Sequence, residues 1–167
     1  DGTREFIIPS EDYLFEFDMN SYHLFLSAKI IGFDLPEGDI HTEFGQLYFR
    51  KDELTEEEYR MSKQISFKQM NGGVFSQYKH VPFWNKLENH IKELWKQIQE
   101  QGYVELVGGR QIKLSEIPNP TPQKCWNYII QSSETYYNIL ILKDLFVYLR
   151  DKKSKIILYS YDAFLIN

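Results

Sequence analysis

Ile156-Ile157-Leu158-Tyr159-Ser160-Tyr161-Asp162-Ala163-Phe164-Leu165-Ile166 is a run of β-branched and aromatic residues interrupted by an acid, and from Lys155 onward it reads as a hairpin with Asp162 near its turn. Near the other end of the chain, Tyr13-Leu14-Phe15-Glu16-Phe17 reads as a strand and closes on a second lone carboxylate, Asp18. An acid in a hydrophobic, β-prone setting costs desolvation unless something cationic faces it. The two acids together point to a divalent-metal site assembled from distant strands.

Local signals divide the chain between them. Residues 20 to 31 read as a helix stopped by Gly32, a residue suited to the left-handed position after a last turn. Asp39 can cap a short helix to about residue 50, and Thr55 followed by Glu58 is a capping box that opens a helix running to Asn71 and stopping at Gly72-Gly73. Pro82 opens a longer helix whose apolar positions Phe83, Leu87, Ile91, Leu94, Trp95 and Ile98 keep helical spacing up to Gly102. Tyr103 to Lys113, broken by Gly108-Gly109, reads as a hairpin; Pro118, Pro120 and Pro122 mark a linker; Gln123 to about Arg150 reads as a long helix. Strand and helix at both ends with a helical insertion between them is an α+β layout.

The chain has 167 residues, 43% apolar and 16% aromatic, enough to bury a sizeable core in one or two small domains. The formal charge of −5 counts against a nucleic-acid binder, which usually carries a basic excess, but the signal is blunted because the acids cluster at Glu53 to Glu58 and near the termini while Lys and Arg recur through the middle. Cys125 is the only cysteine, so an internal disulfide is excluded, and no apolar run is long enough to span a membrane. A reducing intracellular compartment is the expectation. The sequence starts at Asp1 without an initiator Met and stops just after an apolar run, as a piece of a larger protein would.

In the helix after Thr55, Arg60, Lys63, Phe67 and Asn71 are offset so that, at about 100° per residue, they share an arc of about 80°. Two cations and one flat ring occupy one face. Read alone, this is a solvated helix face with one buried Phe. In the long C-terminal helix, Gln123, Asn127 and Gln131 repeat every four residues as a polar stripe on an otherwise apolar element.

Taken in order, Asp18, the segment Asp39-Ile40-His41-Thr42, the run from Arg60 to Gly72, Gly102-Tyr103-Val104-Glu105 with Gly109-Arg110, Asn127-Tyr128-Ile129-Ile130-Gln131, and Asp162 resemble the polymerase core of family A DNA polymerases. The resemblance covers nearly the whole chain. It implies an antiparallel palm sheet with packed helices, residues 1–45 and 119–167, and a helical fingers insertion, residues 46–118. It implies nucleotidyl transfer from dNTP to a primer 3′-hydroxyl on primer-template DNA, with two Mg²⁺ ions held by Asp18, Asp162 and the backbone carbonyl of Met19. Arg60, Lys63 and His41 correspond to nucleotide-phosphate contacts and Phe67 to the ring that stacks on the incoming base. Asn127 and Gln131 would meet acceptors in the minor groove, and Arg110 would hold template phosphate. The remainder of a polymerase, a thumb and often an exonuclease domain, would complete it.

The chain also departs from the family. His23 stands where the family has a glutamate that excludes a ribose 2′-hydroxyl, so sugar discrimination is expected to be altered. Asn71 replaces an aromatic residue that occupies the template-base position. Tyr161-Asp162-Ala163 replaces His-Asp-Glu, Gln123 replaces an arginine, and the connection from Gly72 to Tyr103 is short. With these features the chain looks like a compact, divergent member, and the Lys, Ile, Tyr and Phe usage suggests an AT-rich genome such as that of a virus or organelle. The alternative expectation is a degenerate polymerase-like module that binds nucleic acid or a partner without catalysis.

Overall fold

The structure, a computed structural model describing residues 13–160 and 163–167, brings the two terminal runs into one antiparallel sheet. Strand β1 (Phe15–Asp18) pairs with β5 (Ala163–Ile166), which pairs with β4 (Ile156–Ser160), giving the order β1-β5-β4. Phe15 stands opposite Ile166 and Phe17 opposite Phe164, so large apolar side chains share one face. Tyr159 stacks on Phe164 at 5.3 Å on that face. Backbone bonds in both directions between Lys155 and Asn167 close the β4–β5 pair.

Two compact units result. One contains the sheet and the segment from Glu134 to the C-terminus; the other is His23–Ser133. This division by packing differs from the one at 45/46 and 118/119 that the resemblance implies, which is a partition by role and remains an expectation.

The helical unit follows the local signals closely. Helices α1 (Tyr22–Ile31), α2 (Ile40–Phe49), α3 (Glu56–Gly72) and α4 (Pro82–Gln101) precede a short hairpin of β2 (Tyr103–Glu105) and β3 (Gln111–Lys113), and α5 (Pro122–Leu149) follows, of which the part up to Ser133 belongs to this unit. Asp39 accepts from Thr42 N at 2.8 Å, and the reciprocal Thr55–Glu58 capping box is formed. Gly32 and Gly102 adopt positive φ of 62° and 79° just past the ends of α1 and α4. The helix expected from residue 20 begins later, because Ser21 takes φ 54° in a turn. The 3-10 turns at Ser76–Tyr78 and Leu114–Glu116 have no counterpart in the local reading.

The core of this unit is aromatic. Phe44 packs against Phe83 at 5.3 Å and Trp84 at 5.7 Å, and Phe83 meets Trp84 edge-on at 4.8 Å. Trp84, which the apolar spacing did not single out, is fully buried, while the expected Leu94 and Trp95 are half-buried. Helices α2 and α3 approach closely at Gly45, where an added Cβ would lie 3.1 Å from Ser62 Cβ. The buried Tyr48 hydroxyl joins three helices: it accepts from Trp84 Nε1 at 2.6 Å and lies 2.9 Å from Ser66 Oγ. Burial drives its pKa well above the ordinary tyrosine value against the pull of those bonds.

Candidate active site

Asp18 ends β1, and its register partner is Ala163, the residue that follows Asp162 in the chain. Asp162 and Tyr161 lie outside the described residues. Asp18 is exposed, as is every residue of β1, which is an edge of the sheet among the described residues. The desolvation cost expected from the apolar sequence context is therefore not incurred, and burial gives no argument for a cation. Asp18 and the half-buried Met19 stand at an apolar cavity of about 610 Å³ lined also by Phe15, Phe17, Phe164 and Leu145. A carboxylate and a backbone carbonyl are hard oxygen donors, and Mg²⁺ binds through one or two carboxylates while keeping several waters, so this donor set fits the ion in kind. Among the described residues no three His, Cys, Asp or Glu side chains gather as a metal cluster.

In the helical unit, the predicted stripe on α3 is present and solvent-facing. Arg60, Lys63, Phe67 and Asn71 are all exposed, and Phe67 is 70% exposed, so the reading of a buried Phe on a solvated face does not hold. Both cations are held by neighbours on their own helix: Arg60 pairs with Glu56, and Lys63 Nζ sits 4.6 Å from the centre of the Tyr59 ring. Helix α2 brings its first turn beside this stripe, with Ser62 Oγ donating to the His41 carbonyl at 2.5 Å and Tyr59 Oη donating to Asp39 at 3.4 Å.

His41 is half-buried, and burial pushes its imidazole below the ordinary histidine value; Asp39 opposes the shift and Lys63 adds to it. His90, edge-on to the Trp126 ring at 5.6 Å, is pushed down by burial as well, against Glu93. A histidine whose folded pKa lies below its unfolded value, about 6.5, contributes stability that is complete above that value. That stability is lost as the pH falls, because the unfolded chain takes up the proton first. The urea midpoint of the protein is expected to stay level from pH 8 to about 7 and to fall below about 6.5, before the carboxylates titrate. A midpoint flat down to about pH 5 would contradict neutral, partly buried imidazoles.

The amides of α5 meet the end of α3. Gln123 Nε2 donates to the Met70 carbonyl at 2.7 Å and to Asn127 Oδ1 at 2.9 Å, and Asn127 Nδ2 donates to the Asn71 carbonyl at 3.1 Å. Asn71 in turn donates from Nδ2 to the Phe67 carbonyl at 2.9 Å. His23 of α1, Met70, Asn71, Asn127, Ile130 and Gln131 line one small cavity of about 10 Å³. Four of the expected site residues thus converge: His23, Asn71, Asn127 and Gln131. Arg110 is exposed after Gly108 and Gly109, both at positive φ, and lines none of these features. Gln123 was visible as a member of the four-residue repeat, but its contact with α3 depends on residues far away in the chain. Met70 and Ile130 carried no signal beyond apolarity.

No protein-family model matches the chain, and no curated protein matches it in sequence. In fold it is similar to the solved structure of the POL domain of Pol1 from M. smegmatis in complex with DNA primer-template and dNTP, with TM-score 0.75 and 18% identity. That likeness covers 92% of this chain and 33% of the other, so the chain spans about a third of that protein's length. Among the described residues, the three-stranded sheet, the five α-helices and the small hairpin have the mixed α+β fold found in a DNA polymerase domain.

Proposed function

We propose that the chain is the palm and fingers portion of a template-directed DNA polymerase of family A, with residues 1–45 and 119–167 as palm and 46–118 as fingers. The observation that carries this reading is the β1–β5 register. Asp18 pairs with Ala163, so the sequence neighbour of Asp162 meets Asp18 from the opposite end of the chain. In this reading Asp18, the Met19 carbonyl and Asp162 would hold Mg²⁺, which would supply Lewis-acid activation of the primer hydroxyl and offset charge on the departing pyrophosphate.

The remaining roles belong to side chains. Arg60 and Lys63, with neutral His41, receive the triphosphate of dNTP. Their present partners are a surface ion pair and a ring contact, each worth about 0–1 kcal/mol, so an arriving phosphate displaces them at small cost. Phe67 offers an exposed flat surface for the base. His23 stands at the sugar and Asn71 at the template base. Arg110 takes template phosphate, and Asn127 and Gln131 donate to the minor-groove edge of the primer-template DNA. The rest of a longer polymerase would supply the thumb.

The test is single-nucleotide primer extension by the full-length protein with each dNTP in turn. The expected result is incorporation of the complementary nucleotide only, abolished by chelating Mg²⁺. Tight primer-template binding without incorporation would replace this reading with the degenerate binding module.

A further inference from the structure

Two backbone carbonyls at the end of α3 dictate the orientation of two amides on α5. A carbonyl oxygen accepts and cannot donate, so the Met70 carbonyl requires the NH₂ end of Gln123, which donates to it at 2.7 Å. This directs Gln123 Oε1 toward Gly73, where an added Cβ would stand 3.4 Å from it. The same Nε2 donates its second hydrogen to Asn127 Oδ1 at 2.9 Å. Asn127 is then left with its NH₂ end toward the Asn71 carbonyl, which it reaches at 3.1 Å. A flipped Asn127 would oppose NH₂ to NH₂ at Gln123 and oxygen to oxygen at Asn71, losing both bonds. The Asn127 amide keeps one further hydrogen beyond the bond to Asn71, and Asn127 lines the cavity shared with His23, Asn71 and Gln131.

We propose that Gln123 is a positioning residue: by holding Asn127 Oδ1 against the end of α3, it makes Asn127 present a donor, not an acceptor, to the cavity. This rests on the polymerase reading, in which Asn127 and Gln131 face the minor-groove edge of the base pair from beside that cavity. The base edges there carry acceptors at equivalent places in both A·T and G·C pairs, so a donor of fixed polarity checks pair geometry without reading sequence, and an amide free to flip does not. Because both fixed acceptors belong to α3, the check is tied to the position of the helix that carries Arg60, Lys63 and Phe67.

Gln123→Glu preserves shape and removes the donor; Gln123→Arg retains donors. The measurement is the ratio of matched to mismatched incorporation by the full-length protein, which does not depend on the folded fraction. Gln123→Glu is expected to lower that ratio about ten-fold, the worth of one lost hydrogen bond, with Gln123→Arg recovering most of it. In an Asn127→Ala background, Gln123→Glu is expected to have no further effect on the ratio. An unchanged ratio in Gln123→Glu, or effects that multiply with Asn127→Ala, would overturn the proposal while leaving the polymerase reading intact. Absence of template-directed incorporation in the wild type would instead remove the reading beneath it.

Discussion

Asp18→Asn is expected to reduce template-directed incorporation by the full-length protein at least about 10³-fold while leaving primer-template binding unchanged. The substitution keeps the shape of the side chain and removes the negative charge that would anchor a divalent cation. Lewis-acid assistance is worth several kcal/mol, and about 4 kcal/mol corresponds to about three decades in rate. Asp18 is exposed at the end of β1, so its replacement costs the fold no more than about 0.5 kcal/mol, and a lost rate cannot be assigned to unfolding. Asp162→Asn is expected to behave in the same way. Primer extension and fluorescence-anisotropy binding on the same preparations decide the matter. Variants that retain wild-type rates would remove both acids from the chemistry.

The largest effect on stability is expected at the aromatic core. Trp84→Ala is predicted to destabilise the unit formed by residues 23–133 by about 3–5 kcal/mol, as measured by urea unfolding. Trp84 is fully buried and packs against both Phe44 and Phe83, so truncation opens a large cavity between rings that are too rigid to fill it. It also withdraws the donor from the Tyr48 hydroxyl, which Ser66 and Gln69 then share alone. Whole domains are commonly stable by only about 5–15 kcal/mol, so this one substitution removes a large part of what holds the site-bearing helices together. Trp84→Phe keeps most of the apolar volume and loses the donor, and it is expected to cost about 1–3 kcal/mol. Equal, small losses for both variants would mean that the core is not packed around this side chain.

Helix boundaries were legible because their causes are local. The Thr55–Glu58 box, Asp39 over Thr42, Pro82 at a first turn and Gly102 after a last one each involve residues within about one turn of the helix end, and all four formed as expected. The shared face of Arg60, Lys63, Phe67 and Asn71 was legible for the same reason, since helical pitch alone sets it. The environment of that face was not. Phe67 stands in solvent and Trp84 in the core, although spacing made the first a candidate for burial and overlooked the second. An apolar side chain is buried only where another element comes to cover it, and one helix does not specify which of its sides that will be.

By itself, the amino-acid sequence determined an α+β chain with its main helices and hairpins in order, an ordered set of polar residues, a strand ending in Asp18 near one terminus and a hairpin carrying Asp162 near the other. Tertiary structure decided that β5 lies between β1 and β4, that Asp18 pairs with Ala163, and that the amides of Gln123 and Asn127 close on the last carbonyls of α3. Pitch, capping and turn preference act over a few residues and can be read in any short window. Strand register and the polarity of an amide depend on which donors and acceptors arrive from elsewhere in the chain, and they are set when those groups leave water together.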